Sequence, residues 1–513
     1  MVLQNLTGIL GIAAVIATCC ALSSRRGAIH WRTVIWGLVL QICLALLIIR
    51  GDAIARLFDF LPLSHHVFLA IVAAQIVVLV LVVKWNPRLA GNVPLKWVKR
   101  VVLAEVAVYA LKFNAVGWLF EALKTGASQI LKYSGAGAGF VFGVFGSEES
   151  MRSAFSGALG DKAGSVAFVF AFQVLPTIIF VASIFSVLYY LGLMQPLIRH
   201  IANFIGRFMK ASGAETLDVA ANIFMGQTEA PLTIKPYLAK LTRSELFTVM
   251  VSGMCHCSAG ILIVYVSVAG VDARHLLASV IMTAPGAIML AKMVIPETEN
   301  PETGGAGGDI ASQNSRATDR SQTEIEASES RPVNVIDAAA RGASEGMILA
   351  ANVAAMLIAF IALIALLNGI WSSLRDFGLA NTSGGVQQVI GAVPGSIQQV
   401  LGYVFAPVAF ITGVPWGEAV QVGNLLGTRI VLNEFVGYIE LGKIKAVLSP
   451  KSFLISTYLL CGFGSLTSIA IQAGGVGALI PNRRMELASL GFKAVVVGVM
   501  SNILAASIAG ILF

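Results

Sequence analysis

Charged residues are scarce in this 513-residue chain, at 12% of the sequence against about 25% in soluble globular proteins. Hydrophobic residues make up 57%, and the mean hydropathy is +0.82. A water-soluble fold of this length cannot bury so much apolar surface, so a lipid bilayer must cover part of it. This composition excludes a soluble enzyme, a disordered protein and a collagen.

Cysteine is also scarce, and no disulfide framework is indicated because every cysteine lies within or beside an apolar stretch. The six are Cys19, Cys20, Cys43, Cys255, Cys257 and Cys461. No basic residue precedes the first apolar stretch, which predicts a membrane helix rather than a cleaved signal. The net charge is +8, but the basic residues stand singly or in pairs between apolar runs, as charges that orient membrane helices do. We therefore expect no nucleic-acid partner.

Ten apolar stretches are long enough to cross a membrane at about 20 residues per helix, which predicts an all-α polytopic membrane protein. They fall near 4–23, 33–50, 67–84, 101–121, 165–193, 246–269, 275–295, 345–371, 453–480 and 487–513. Placing the five most basic loops in the cytoplasm leaves the N-terminus outside. The lysines between 443 and 451 then lie outside, against that rule.

Residues 297–337 are polar and rich in Gly, Ser, Thr and Glu, and they predict a disordered cytoplasmic loop. This loop divides the chain. We expect N-terminal transmembrane helices over 1–121, a first core half over 122–296 and a second core half over 338–513.

An internal repeat indicates where a site lies. The segments 214–241 and 417–444 each contain a short apolar helix, a glycine, a glutamate (Glu229 or Glu434) and a second short helix. From Glu215 to Glu229 is 14 residues, or about 21 Å of helix, which is too short to cross about 30 Å of hydrocarbon. Each segment therefore predicts a re-entrant helical hairpin.

A spanning helix with an unusual centre follows each hairpin. The centres are GMCHCSAG at 253–260 and CGFGSLTS at 461–468. Small and hydroxylic residues at mid-span allow a membrane helix to unwind and to expose backbone carbonyls. Two broken transmembrane helices in matching positions predict inverted repeats with a transporter site at their interface.

Carboxylates at membrane depth are costly, so Glu229 and Glu434 are functional candidates. The alternative is that each glutamate caps a hairpin tip by accepting backbone N–H groups. Gln227 and Thr228 add neutral donors and acceptors that suit a polar, uncharged solute, although such residues are also ordinary in turns.

His256 is a candidate proton carrier, because an intramembrane histidine can change charge near neutral pH. The alternative is a histidine that is hydrogen-bonded inside the helix bundle. The flanking cysteines have no second Cys/His cluster to complete a metal site. We expect no metal and no cofactor.

Several segments resemble the signatures of the concentrative nucleoside transporters. They are NIFMGQTEAP (222–231), NEFVGY (433–438), CGF (461–463), FAFQVLPTIIFVASIFSVLYYLG (170–192) and the segment 334–368. The resemblance covers roughly residues 113–296 and 333–513, and the region 67–121 resembles an inserted helix pair. It implies a homotrimer in a bacterial inner membrane, in which both hairpins and both broken helices move one nucleoside with a cation inside a helical scaffold.

The resemblance also implies roles for individual residues. Those implied to face the nucleobase are Gln227, Thr228, Glu229 and Phe463, and those implied to face the ribose are Glu434, Ser465 and Ser468. A carboxylate can accept hydrogen bonds from two ribose hydroxyls, which discriminates against analogues that lack them. Ser465 stands where the family usually has asparagine, so one ribose contact and the choice of nucleoside are altered.

The coupling ion follows from a second departure. Sodium-coupled members hold the ion with an asparagine and a backbone carbonyl of the first hairpin, here Asn222 and Met225, and with a hydroxyl in the broken helix. That hydroxyl position holds His256, followed by Cys257. Sodium prefers oxygen ligands, so proton coupling is favoured over sodium coupling.

Other functions stay open at this point. Sodium could bind at a shifted site, and the solute could be a modified nucleoside or a nucleobase. A passive channel or a sensor could share this architecture. A membrane-embedded enzyme has no support, because neither a GxSxG nor an HExxH motif accompanies the polar residues at depth.

Overall fold

The computed structural model describes residues 2–58, 105, 108–159, 169–303 and 332–513. These ranges are helical and contain no strand. The helices are α1 (Val2–Leu22), α2 (Trp31–Ile49), α3 (Gly51–Leu57), α4 (Ala115–Phe142), α5 (Glu148–Leu159), α6 (Phe170–Gln173), α7 (Leu175–Tyr190), α8 (Met194–Met209), α9 (Gly213–Asn222), α10 (Lys235–Leu238), α11 (Arg243–Cys255), α12 (Ala259–Ala269), α13 (Ala273–Val294), α14 (Val335–Asn381), α15 (Gly385–Ala392), α16 (Ile397–Ile411), α17 (Trp416–Val431), α18 (Glu434–Lys443), α19 (Pro450–Leu460), α20 (Leu466–Leu479) and α21 (Arg484–Leu512). Predictions for 67–84 and for most of the 297–337 loop lie outside the described residues.

The polytopic all-α prediction is confirmed. Six helical segments of the described chain are long and apolar enough to cross a membrane, namely Trp31–Ile49, Phe170–Tyr190, Arg243–Ala269, Ala273–Val294, Val335–Asn381 and Pro481–Leu512. The 47-residue α14 extends the predicted span 345–371 at both ends. At 1.5 Å per residue it is about 70 Å long, more than twice the hydrocarbon thickness.

The element order occurs twice. Helix α7 is followed by α8, and α14 is followed by the short α15 and then by α16. In both halves there then come two short helices joined by a turn, an interrupted helix (α11 and α12, or α19 and α20) and a closing helix (α13, α21). We call Gly213–Leu238 the first hairpin and Trp416–Lys443 the second hairpin. The two interrupted helices are the first and second broken helices.

The first broken helix and the first half of the second, α19, are largely buried in the molecule. Their closing helices α13 and α21 pack against each other and against α11, and α21 also packs against both halves of the second broken helix. The apolar windows of Arg243–Ala269 and Ala273–Val294 are 78% and 83% buried, whereas that of α14 is 12% buried. The first broken helix therefore belongs to the protein core, and α14 presents its surface outward.

Small residues join the first helices of the two repeats. A Cβ on Gly346 of α14 would lie 2.8 Å from the Cα of Ile179 in α7. The hydroxyls of Ser183 and Ser186 in α7 donate to carbonyls of α14 at 2.9 and 2.8 Å. Close backbone approach through small residues and serine hydrogen bonds is the usual way in which membrane helices associate.

One N-terminal boundary differs from the sequence expectation. The predicted span 101–121 is interrupted at Asn114, which has a left-handed φ of 45° and whose side chain accepts from the amide of Gly117. A new helix, α4, then runs without a break past residue 121 to Phe142. An asparagine tolerates this backbone conformation and caps the helix that follows.

Candidate functional site

The first hairpin begins at a capping box. The Ser212 hydroxyl accepts from the amide of Glu215, and the Glu215 carboxylate accepts from the amide of Ser212. Helix α9 then runs to Asn222, and all its residues are buried. A break near Gly226 is present, as the sequence predicts, but helix α9 already ends at Asn222, four residues before this glycine. The chain then turns and continues as a 3-10 helix at Ala230–Ile234.

Glu229 lies in this turn and bonds to it. Its carboxylate accepts a hydrogen bond from the backbone amide of Gly226, at 3.1 Å. This contact is the one that the capping alternative describes. Unlike the neighbouring Gln227, Glu229 is exposed, so its carboxylate is accessible to a solute.

The other two polar residues of the turn face the second broken helix. Gln227 is buried and accepts from Nε2 of Gln472 at 3.3 Å, and that nitrogen also donates to the carbonyl of Met250 at 3.0 Å. A Cβ on Gly475 would overlap Cγ2 of Thr228. The turn of the first hairpin therefore packs tightly on α20, where a glycine leaves room for it.

Glu434 is the first residue of α18 in the second hairpin. Asn433 caps this helix by accepting from the amide of Val436 at 3.0 Å. The Glu434 carboxylate is buried and accepts from the hydroxyl of Tyr265 in α12, at 2.9 Å. Tyr265 also stacks on Tyr438, with ring centroids 4.2 Å apart. The second hairpin thus places its glutamate against the first broken helix.

The two breaks meet. The first break leaves His256, Cys257 and Ser258 outside any helix, and the second spans Cys461–Ser465. The amide of Phe463 donates to the carbonyl of His256, at 3.2 Å. The broken helices expected from the sequence are present, and their unwound backbones are hydrogen-bonded to each other.

Ser465 and Ser468 order the second break. Both are buried, and their hydroxyl oxygens lie 3.1 Å apart. The Ser468 hydroxyl donates to the carbonyl of Phe463, and the Thr467 hydroxyl donates to the carbonyl of Leu432 in the turn of the second hairpin, at 3.3 Å. The serines predicted to face ribose therefore lie together beside Phe463.

The candidate coupling residues are partly brought together by Ser252. Nδ2 of Asn222 donates to the Ser252 hydroxyl at 2.9 Å, and Nδ1 of His256 lies 2.8 Å from the Ser252 carbonyl. Met225 is half-buried, and Cys257 is fully buried in the first break. A hydroxyl therefore stands beside Asn222, although not at the position that the sequence indicated.

A buried arginine missed at the sequence level holds the second break. Arg429 of α17 is fully buried and donates to the carbonyls of Leu459 and Gly462, and to Oδ1 of Asn502 at 2.6 Å. Asn502 of α21 donates in turn to the carbonyls of Cys255 and Cys461. These two side chains satisfy carbonyls that unwinding frees at both breaks.

Comparison with known proteins agrees with this architecture. Family models described as "Na+ dependent nucleoside transporter C-terminus", "Nucleoside recognition" and "Na+ dependent nucleoside transporter N-terminus" match residues 275–510, 171–272 and 10–74. An uncharacterized transporter of Bacillus subtilis, YutK, is 39% identical over 401 residues, which cover 78% of this chain and 88% of that protein. The nucleoside permease NupC of Helicobacter pylori is 35% identical over 77% of this chain and 85% of its own length.

More distant relatives extend over nearly the whole chain. The rat sodium/nucleoside cotransporter 1 is 33% identical over 99% of this chain, which matches 64% of the rat protein. A solved structure of CNTnw in an inward-facing substrate-bound state is 33% identical, with a TM-score of 0.72, and covers 99% of this chain and 98% of that one. This is a multi-pass protein of the plasma membrane. The chain belongs to the concentrative nucleoside transporter family, whose members are cation-coupled membrane transporters rather than enzymes.

Proposed function

We propose that this chain accumulates nucleosides across a bacterial inner membrane, and that a proton is the coupling ion. The observation that carries this proposal is the hydrogen bond between the two helix breaks, from Phe463 to His256. Each break is flanked by the turn of a hairpin. Such discontinuous helices at a repeat interface form the substrate and ion sites of secondary transporters.

The nucleoside is proposed to bind between the hairpin turns and the second break. Gln227, Thr228 and Glu229 face the base, with Phe463 beside it. Glu434 is proposed to accept hydrogen bonds from ribose hydroxyls. Its support is the position of the carboxylate at the N-terminus of α18, where the helix dipole and the Tyr265 hydroxyl stabilise its charge.

Ser465 and Ser468 complete the proposed ribose side. A serine at 465 reaches less far than the asparagine that the family usually has, so a water or a larger sugar substituent could fill the difference. Because Ser465 is shorter than asparagine, the alternative solutes remain a modified nucleoside or a nucleobase.

His256 is the proposed proton carrier because its imidazole is buried within the first break. Ser252 connects it to Asn222, since the Ser252 carbonyl contacts Nδ1 of His256 and the Ser252 hydroxyl accepts from Asn222. One observation favours sodium as the second candidate. The Ser252 hydroxyl supplies an oxygen at Asn222, which weakens the objection that the site lacks a hard ligand.

A homotrimer is proposed for the assembly. Helix α14 exposes large apolar side chains along its length, which lipid or a second copy must cover. They include Ile358, Leu363, Leu366, Ile370, Leu374 and Phe377. Light scattering of the purified protein, with the detergent contribution subtracted, gives the number of copies, and a monomeric mass contradicts the trimer.

The test is uptake of labelled uridine into proteoliposomes under an imposed proton gradient or an imposed sodium gradient. Accumulation under the proton gradient alone supports the full proposal, whereas accumulation under sodium alone keeps transport and overturns proton coupling. A panel of other nucleosides and nucleobases follows if uridine does not accumulate. Glu229→Gln and Glu434→Gln should both lower uptake, and full uptake by both variants contradicts the proposed site.

A further inference from the structure

Asp218 is a fully buried carboxylate that the proposed transport cycle does not yet use. It lies on α9, one helical turn before Asn222, whose Nδ2 donates to its Oδ2 at 3.1 Å. Its other oxygen accepts no hydrogen bond from the described residues, and no basic side chain of those ranges pairs with it. Burial of an unpaired carboxylate is strongly unfavourable, so this group must either take up a proton or bind a cation that its neighbours do not supply.

Other buried acids in the same region do have partners. Glu215, on the same helix, lies 2.6 Å from Nζ of Lys292, which also pairs with Glu297 at 3.1 Å. Glu245 at the start of α11 accepts from the amide of Thr242 at 2.8 Å. The ammonium group of Lys292 thus pairs with Glu215 and Glu297 but with neither Asp218 nor Glu245, and of these last two only Asp218 contacts a candidate coupling residue, Asn222.

The side chains next to Asp218 supply further oxygens. Asn222 is buried, and its Oδ1 also accepts no hydrogen bond from the described residues. Its amide nitrogen joins the Asp218 carboxylate to the Ser252 hydroxyl, at 3.1 and 2.9 Å. Nδ2 of Asn222 thus bridges a carboxylate of α9 and a hydroxyl of α11, and a half-turn of this amide would bring its unpartnered oxygen to the same two groups. Hard cations prefer such oxygen ligands.

We propose that Asp218 carries the negative charge of the coupling-cation site, with Asn222 and Ser252 as its neutral oxygen partners. The ligand is a monovalent cation, because a single carboxylate balances a single positive charge. The inference rests on the proposed cation-coupled function and adds its charged residue. A cation held here joins the first hairpin to the first broken helix, whose break bonds to the second break.

The experiment compares wild type, Asp218→Asn and a control, Asp272→Asn, in proteoliposomes. Asp272 is half-buried at the start of α13 and, unlike Asp218, pairs with a cationic side chain, Lys124, at 3.0 Å. Labelled uridine uptake is driven by a sodium gradient in one arm and by a proton gradient in the other, which distinguishes the two cations. Uridine counterflow without an ion gradient measures exchange alone.

The expected result is that Asp218→Asn loses accumulation above the external concentration in the arm that drives the wild type. Its counterflow persists, because a neutral amide resembles a carboxylate that a cation has neutralised. Asp272→Asn accumulates uridine as the wild type does. Accumulation by Asp218→Asn equal to that of the wild type overturns the proposal.

A binding measurement tests Asp218 independently of transport. The thermal unfolding midpoint of the purified wild type should rise with the coupling cation, tested as sodium chloride against choline chloride and as a pH series. Glu215, Glu245, Lys292 and His256 are further ionisable groups near α9, so each series is run on both aspartate variants. An Asp218→Asn midpoint that responds as the wild type does overturns the proposal, even where no transport is detected.

The remaining outcomes are also decisive. If Asp218→Asn does not fold, Asp218→Glu keeps the charge but displaces it, and an unchanged cation dependence in that variant counts against the site. A wild type that accumulates no nucleoside in either arm contradicts the proposed function instead. In that case the unfolding midpoints still decide whether Asp218 binds a cation.

Discussion

The backbone amide of Phe463 donates a hydrogen bond to the backbone carbonyl of His256, and this bond joins the two broken helices at their unwound centres. The side-chain amide of Asn502 donates to the carbonyl of Cys255, one residue before His256, and to the carbonyl of Cys461, two residues before Phe463. The break proposed to hold the cation and the break proposed to hold the nucleoside are therefore adjacent. A displacement of one break must strain or displace the other, which is a physical basis for coupling.

Replacing Asn502 by leucine should destabilise the protein and lower its uptake. The substitution preserves the volume but leaves the carbonyls of Cys255 and Cys461 and one nitrogen of Arg429 without their partner. Buried groups left unsatisfied cost about 1–3 kcal/mol each, so for three groups we expect a loss of about 3 kcal/mol or more. The unfolding midpoint in detergent and the rate of uridine uptake measure the two effects.

The control is Asn381→Leu. Asn381 is exposed near the end of α14, and its amide donates only to the carbonyl of Phe377. We expect a change within about 0.5 kcal/mol and unchanged uptake. Equal effects of the two substitutions would show that Asn502 does not support the breaks.

Removal of the Tyr265 hydroxyl should weaken nucleoside binding. Tyr265→Phe keeps the stacking on Tyr438 but deprives the Glu434 carboxylate of its donor at 2.9 Å. A hydrogen bond to a charged group contributes about 1.5–3 kcal/mol, so a misplaced carboxylate should raise the KM for uridine by about tenfold or more. Initial rates of uptake over a range of uridine concentrations separate KM from kcat.

Tyr438→Phe is the matched control, because its hydroxyl donates to the carbonyl of Thr457 and not to Glu434. Its KM should stay within about twofold of the wild type, since no donor to the carboxylate is lost. A KM that rises equally in both variants would contradict a specific role of the Tyr265 hydroxyl at Glu434.

The helix breaks could be predicted from the sequence because their causes are local. Glycine, serine and cysteine cluster at 253–260 and 461–468, and such residues stabilise a membrane helix weakly. The short helices of both hairpins were predictable for the same reason, since each segment has helix signals that are too short for a full crossing. That these segments re-enter the membrane stays a prediction. The end of α9 at Asn222 differs from the prediction, which places the helix break at Gly226.

The partners of the site residues depend on tertiary packing. The sequence places Glu434 with Ser465 and Ser468 on the ribose side of the site. In the structure its carboxylate accepts a hydrogen bond from Tyr265, in the other half of the chain. Arg429 resembled an ordinary basic residue near a helix end, and only the fold shows that carbonyls of the second break surround it. The Ser252 hydroxyl could have been found, because it lies four residues before His256 and so on the same helical face.

Substitution of Gly346 by valine should separate α7 from α14. The added side chain has no room, because even its Cβ would lie 2.8 Å from the backbone of Ile179. Overpacking of this kind costs about 1–3 kcal/mol. Gly369→Val in the same helix is the control, since no atom of the described residues outside its own helical turn lies within 4 Å of its Cβ position. Unfolding midpoints that fall equally in both variants would contradict the role of this close contact.

The last prediction concerns the contact between the first hairpin and the second broken helix. Gly475→Ala places a methyl group against Cγ2 of Thr228. The methyl group of Gly474→Ala, one residue earlier, meets no atom of the described residues within 4 Å outside its own helical turn. Because the clash displaces the turn that holds Gln227, Thr228 and Glu229, Gly475→Ala should raise the KM for uridine, and Gly474→Ala should not. Thr228→Ser removes the methyl that clashes, so the double variant Thr228→Ser with Gly475→Ala should recover most of the lost affinity. If Thr228→Ser alone is active but the double variant stays as impaired as Gly475→Ala, the defect arises within α20 and not at its contact with the hairpin.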